Sequence, residues 1–436
     1  MGVFRYSPVD FLLTCLGLAF LLLDLGLDGW AVVALYREGA FAGLCFLLLF
    51  LAGSSVLVQA FSWLWYRCEG GGRDTPVVKS LSTGQLRALH VLQLGVYLRH
   101  AGVVEIAVRS FRAASRDVHG DGDGDGDVAV CLSHDLNLLR LVEAFSESAP
   151  QLVLMLAIIL QRGQLDAVTV LKALGSASAI AFSMTMYHRS MRSFLPDKAK
   201  QNLTSSAVYF LWNLLLIGSR LAALSLFASL LPCAIVPHFL CSWLVLFFAV
   251  WWCGTDFMDS SCGEWLYRAT VGLFWYFNWF NVVEGRTRNV TLLYHALVLA
   301  DISLLCSLWC WKTISAEQPY FKISLSHAVI TAVGVVGVYV LGLLFKMMYY
   351  KYFHPNLAKE ELKGDAELEP LKTEIYADEV DSLVFSPGSG EALQSASRSR
   401  ASGVPDVTDR CLPVQSAPDV KRCNKRMRKL AENFYS

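Results

Sequence analysis

Residues Phe11–Leu35 read FLLTCLGLAFLLLDLGLDGWAVVAL, an unbroken apolar run interrupted only by Asp24 and Asp28. At 1.5 Å of rise per residue such a run makes a helix about 37 Å long, longer than the roughly 30 Å hydrocarbon core of a bilayer. A secretory leader carries a shorter apolar region without acids, so this stretch is expected to be a retained first span. Asp10, Asp24 and Asp28 are spaced fourteen and four residues apart, which places them on one helical face and spreads them over most of the bilayer's depth.

Working outward from that run, further apolar segments cover residues 40–66, 83–110, 131–160, 165–187, 206–231, 234–253, 265–284, 290–312 and 326–350. Segment 83–110 is broken by Arg87, His90, Arg99 and Glu105, and segment 265–284 is short and rich in Asn and Trp. If those two enter and leave from the cytosol and the other eight cross, the basic clusters fall on one side. Arg67 to Lys79, Arg109 to Arg116, His188 to Lys200, Arg286 with Arg288, and Lys346 with Lys351 then all face the cytosol, as the positive-inside rule asks. The expected fold is therefore an all-α polytopic membrane protein of eight transmembrane helices and two re-entrant segments, with both termini cytosolic. Each half reads as two spans, a re-entrant segment and two spans, which in hydropathy alone suggests two parallel pseudo-repeats, residues 1–200 and 201–354.

Composition agrees with lipid as the solvent. The 436 residues are 55% hydrophobic and 17% charged, with 37 basic and 37 acidic residues, where soluble domains carry about a quarter charged residues. Balanced charge without a basic face excludes a nucleic-acid binder. Cys15, Cys45, Cys131, Cys233, Cys241, Cys306 and Cys310 lie in apolar runs and no CxxC pair or zinc-spaced Cys/His cluster occurs, so no metal and no cofactor is expected. No nucleophile elbow, phosphate loop or catalytic triad is present, and the chain is not expected to be an enzyme. His119–Asp127, HGDGDGDGD, reads as a flexible acidic loop. Asn202 and Asn289 fit the glycosylation sequon, but both fall on cytosolic segments in this topology and are expected to stay unmodified.

Charges within the spans are the functional signal. Glu143 and Glu147 repeat the i,i+4 spacing one turn after Arg140, Arg220 interrupts the sixth segment and Asp301 the ninth. Each costs roughly 2.5 to 3.5 kcal/mol at the bilayer centre if left to face lipid. Two readings follow: internal ion pairing, for instance of Asp24 or Glu143 with Arg220, or a polar stair running from leaflet to leaflet. Acids at several depths along one helix favour the stair.

From about residue 355 the composition turns to Glu, Lys, Ser, Pro and Asp, and residues 355–436 are expected to form a largely disordered cytosolic tail. Within it Asp378-Glu379-Val380-Asp381-Ser382 matches the preference of executioner caspases for an acidic tetrapeptide ending in Asp and followed by a small residue. Beyond it Lys421, Arg422, Lys425, Arg426, Arg428 and Lys429 form a basic cluster suited to anionic lipid or to an inhibitory contact at the cytosolic mouth of the bundle.

LDLGLDGW at 23–30, FSWLW at 61–65, RLVE at 140–143 running on to SAPQL at 148–152, YFLWN at 209–213, GTDFM at 254–258 and FNVVEGRTR at 280–288 resemble the XK-related family, and within it the caspase-activated phospholipid scramblase branch. The resemblance implies a bundle that lets phospholipids cross without ATP once caspases cut after Asp381, exposing phosphatidylserine on apoptotic cells at the plasma membrane. It implies a single-span immunoglobulin-type chaperone subunit such as basigin or neuroplastin. It also implies a lipid path lined by Asp10, Asp24, Asp28, Arg99, Glu143, Glu147, Arg189, Arg220 and Asp301. The alternatives are an ion or proton pathway using the same acids, and a membrane anchor for a lipid-transfer protein.

Overall fold

The structure, a computed structural model, describes residues 8–68, 78, 80–114, 123–163, 167–194, 201–258, 260–282, 288–315 and 324–353. The Asp378–Ser382 motif and the basic cluster at 421–429 lie outside the described residues. The helices are α1 (Pro8–Arg37), α2 (Phe41–Cys68), α3 (Thr83–Val91), α4 (Gly95–Ala114), α5 (Asp123–Glu143), α6 (Ala149–Arg162), α7 (Ala167–Phe194) and α8 (Leu203–Leu230). They continue with α9 (Pro232–Trp252), α10 (Ser261–Phe277), α11 (Arg288–Ser315) and α12 (Leu325–Met348). Two π-helical turns, Ala144–Ser148 and Tyr349–Phe353, join α5 to α6 and close α12. Among the described residues there is no strand.

Eight of these units are long and apolar enough to cross a membrane: α1, α2, the α5–α6 unit, α7, α8, α9, α11 and α12. Their ends follow local chemistry. Leu231 precedes Pro232 and is pushed out of the helical region (φ −127°, ψ 62°), so α8 stops and α9 begins at the proline. Gly163 takes the left-handed conformation (φ 65°) that closes α6.

Segment 83–110 is two helices, α3 and α4, bent by 115°. Ser82 and Gln85 form a capping box at the start of α3, and the bend falls at Gln93, whose φ of 63° is unusual for a residue with a side chain. Ser55 of α2 donates a 2.7 Å hydrogen bond to the Gln93 side chain and so holds the bend in place. Gly95 is required next to it: a Cβ there would lie 2.5 Å from the His90 ring. A second difference from expectation concerns the Asp/Gly run, since α5 already begins at Asp123. Acids in a first helical turn are favoured by the helix dipole, and that term offsets the glycines.

α8 is the central pillar, packed against α6, α7, α9, α11 and α12 and buried along most of its length. The large core cluster gathers around it, with Trp212, Leu216, Ile217 and Leu224 meeting Phe145, Phe274 and Tyr339 from its neighbours. At the other extreme α9 buries only Val250 fully and leaves Trp252 90% exposed. In lipid, exposed apolar surface is no liability, and association depends on close packing and interhelical polar bonds. α1 is also peripheral: Leu22, Leu23, Leu25 and Trp30 face outward while Leu21, Asp28, Ala31 and Leu35 face inward.

Candidate functional site

The inward face of α1 lies along the α5–α6 unit, and the two run parallel in register. Arg140 of α5 donates a hydrogen bond to the Gly17 carbonyl. Ser148 donates to Asp24 at 3.1 Å, Gln151 and Glu147 reach Asp28, and Arg162 pairs with Glu38. From Gly17 to Glu38 the helix rises about 31 Å, so this seam extends over the full thickness of a hydrocarbon core.

Local structure explains why α5–α6 presents its acids here. Pro150 has no N–H and would crowd the carbonyl four residues earlier, and the chain accommodates it in the π turn from Ala144 to Ser148. The turn contains Glu147 and follows Glu143, and π turns of this kind are frequent at functional sites. The Ser146 hydroxyl is 2.7 Å from the Val142 carbonyl and 2.8 Å from Ser54 Oγ of α2, bracing the wide turn on both sides.

The result is a cluster of Asp24, Asp28, Glu143 and Glu147, with Arg140 as the cation that faces Asp24 and Glu143. Asp24, Asp28 and Glu147 each bring one carboxylate oxygen to within 4.8 Å of the others, a spacing that could hold a cationic group or a metal ion. The expectation of no metal follows from Cys and His spacing and from reading the 119–127 run as a loop, and these three carboxylates lie outside both. Gly17 makes the Arg140 contact possible, because a Cβ at that position would lie 2.6 Å from the guanidinium.

At its far end the seam opens into a cavity of about 470 Å³. Trp30, Leu35, Met155 and Ile158 line it together with Glu38 and Arg162. Lys172 of α7 lies 3.7 Å from the centre of the Trp30 ring.

The remaining charges form separate groups. Arg99 of α4 is 3% exposed; it pairs with Asp135 of α5 at 3.2 Å, bonds Ser62 Oγ at 2.9 Å and lies 4.0 Å over the Tyr66 ring. Arg220 of α8 pairs with Asp301 of α11 at 2.5 Å, bonds the Tyr276 carbonyl at 3.2 Å and stacks on the Tyr276 ring. His238 of α9 completes that group with contacts of 3.2 Å to Asp301 and 3.1 Å to the Tyr276 hydroxyl. Pairing of Arg220 with Asp24 or Glu143 is thus not observed. Its partner comes from the second half of the chain.

A model of the XK-related proteins matches residues 12–355. The whole chain aligns at 40% identity with 98% of XK-related protein 8 from Tetraodon nigroviridis. The chain belongs to the XK-related family. XK-related protein 8 from Gasterosteus aculeatus is 41% identical over 81% of this chain and 86% of its own, and that from Pan troglodytes 37% identical over 80% and 84%.

Set against the lining expected for an XK-related chain, Asp24, Asp28, Glu143 and Glu147 come together on one seam. Arg99, and Arg220 with Asp301, stand apart in their own ion pairs. Arg189 bonds the Gln201 carbonyl at 2.9 Å and Ser206 Oγ at 2.5 Å where α7 gives way to α8. The backbone at Asp10 belongs to α1, but its side chain lies outside the described residues. Sequence reading missed Asp135, His238 and Gln151. Gln151 had a signal: it continues the Glu143, Glu147 ladder by one more i,i+4 step.

Proposed function

We propose that this chain is an ATP-independent phospholipid scramblase in which headgroups travel along the seam between α1 and α5–α6 while acyl chains stay in the surrounding lipid. No covalent bond is made or broken in that process. The observation that carries the reading is the excess of acid on a peripheral seam as deep as the bilayer core: four carboxylates cluster there and one guanidinium, Arg140, faces two of them. Unpaired charges next to lipid are expensive unless they face water or a polar cargo. The exposed outer flank of α1, with Leu22, Leu23 and Leu25, leaves acyl chains free to follow.

In this reading the bent α3–α4 pair and α10 are re-entrant from the cytosol, both termini are cytosolic and the protein works at the plasma membrane. Caspase cleavage after Asp381 removes the tail with its basic cluster from Lys421 to Lys429, and phosphatidylserine is exposed on apoptotic cells. A single-span immunoglobulin-type subunit such as basigin or neuroplastin accompanies the chain, and the exposed face of α9 offers room for one.

The test is purified protein in liposomes with fluorescent acyl-labelled lipid, quenched by dithionite from outside before and after executioner caspase. Cleavage should raise the quenched fraction from about half towards completeness, and Asp381→Ala should remain at half. A cleaved protein that conducts ions but moves no lipid would establish a channel instead. One that does neither would leave the anchor for a lipid-transfer protein.

A further inference from the structure

Segment 83–110 turns back at a fixed depth. Its two helices, α3 and α4, are bent by 115°, and Ser55 of α2 holds the turn between them through its 2.7 Å bond to the Gln93 side chain. Ser55 stands 14 residues from Phe41 and 12 from Arg67, the limits of that crossing unit. At 1.5 Å per residue these are about 21 and 18 Å, so the turn lies near the middle of a hydrocarbon core roughly 30 Å thick.

The turn is also stiff. His90 of α3 and Arg99 of α4 both bond Ser62 Oγ of α2, at 3.0 and 2.9 Å. Gln93 between them is held at φ 63°, a costly conformation for a residue with a side chain. Its polar side chain is turned in to Ser55, while Val91, Leu92 and Leu94 around it are 71%, 66% and 47% exposed. Exposed apolar side chains elsewhere line helices that cross the whole core, whereas these three cap an element that stops halfway. Lipid from the far half of the bilayer meets them end-on.

This tip stands level with the acids of the seam. Ser54, next to Ser55, is 2.8 Å from Ser146 in the π turn that carries Glu147. Tyr97, one turn beyond Leu94 on α4, lies beside Glu143, Glu147 and Asp28 and is 44% exposed. A phenol joins a polar end to an apolar ring, and Tyr97 stands where the acids end and the apolar tip begins. α4 also packs against α1, so the tip continues the surface of the seam.

We infer that Val91, Leu92 and Leu94 form an acyl-chain site at the middle of the bilayer, a shelf over which the chains of a crossing phospholipid turn while its headgroup follows the seam. The inference rests on the lipid-path reading and adds a site for the chains to it. Because every phospholipid carries such chains, the shelf acts on all headgroups alike.

Two measurements test it on the full chain. In liposomes after caspase treatment, Leu92→Asn with Leu94→Asn should slow acyl-labelled phosphatidylethanolamine and phosphatidylglycerol by the same factor, on the order of tenfold for two amides set against hydrocarbon. Leu297→Asn with Leu304→Asn, similarly exposed on α11, should leave both rates unchanged. With p-benzoylphenylalanine in place of Leu92, irradiation in phosphatidylcholine should join the tip to the terminal half of an acyl chain, located by fragmentation of the adduct in mass spectrometry. Unchanged flux in the tip variant, an equal loss in the α11 variant or an altered ratio of the two headgroups overturns the shelf. So does an adduct at the glycerol end of the lipid, or no lipid adduct. If no lipid crosses even with the wild type, the scramblase reading fails, while the photochemistry still decides whether acyl chains meet the tip at mid-bilayer.

Discussion

Arg220 and Asp301 close a 2.5 Å ion pair whose remaining donors and acceptors are met by His238 and by the carbonyl and ring of Tyr276. Asp24, Asp28, Glu143 and Glu147 instead cluster with one guanidinium, Arg140, which faces Asp24 and Glu143 and also serves the Gly17 carbonyl. The first group ties α8, α9, α10 and α11 together beside the central pillar, and Arg220 is 3% exposed. The second lies behind a peripheral helix, with Asp28 and Glu147 buried and Asp24 and Glu143 only partly covered. Balanced charge in the core is what helix cohesion in lipid requires. Surplus charge of one sign at the rim is not, since it repels itself and needs a mobile partner.

The sharpest way to break this comparison is at Arg220. Arg220→Ala leaves the half-buried Asp301 carboxylate beside Tyr276 with His238 as its remaining partner, a loss of about 3 kcal/mol, the lower end of the range for breaking a buried pair. The variant should fail to reach the cell surface and should aggregate in fluorescence-detected size-exclusion chromatography. Arg220→Met with Asp301→Leu removes both charges and should recover much of the folded peak. If Arg220→Ala is as stable as the wild type, the pair is not structural and belongs to the path after all.

Why the sequence separated these roles only in part follows from range. Spans are encoded locally: apolar runs, Pro232 and Gly163 mark their limits, and hydropathy alone places the eight crossing units within a few residues. The ladder from Glu143 through Glu147 to Gln151 and the acids of α1 are local as well, and the expected polar seam is built from them. Ion pairing is not local. Arg220 and Asp301 are 81 residues apart, and nothing in either segment distinguishes Asp301 from Asp24 as the partner. A turn within segment 83–110 is expected from its broken hydropathy, but its position at Gln93 is hidden, because the hydrogen bond that holds it comes from Ser55 on another helix and only Gly95 beside it is local.

A smaller effect is expected where the surplus cluster touches its single cation. In Gly17→Ala the new methyl group displaces the Arg140 guanidinium from the Gly17 carbonyl, with loss of one charge-assisted hydrogen bond, about 1.5 to 3 kcal/mol. The long side chain can swing aside, so the variant should fold and reach the membrane with a lowered melting temperature. Arg140 then moves relative to Asp24 and Glu143, and lipid flux should change. Unchanged flux with lowered stability would assign Arg140 to packing α1 against α5 and nothing more.

The smallest effect on stability, and the one that most directly sets cohesion against transport, is expected for the neutral isosteres Glu147→Gln and Asp24→Asn. Each removes a negative charge from a cluster that has too many while keeping the volume and most of the hydrogen-bonding atoms, so folding should change by less than about 1 kcal/mol or improve. If the acids attract a headgroup, the same change weakens a charge-assisted bond to it, and flux should fall on the order of tenfold. Surface biotinylation measures the first quantity and the rate of phosphatidylserine exposure after caspase activation the second. Both variants should reach the surface in near-normal amounts and scramble slowly. Were each of them either absent from the surface or fully active once there, the surplus acids would be structural like Arg220 and Asp301, and the lipid path would have to lie away from the α1 seam.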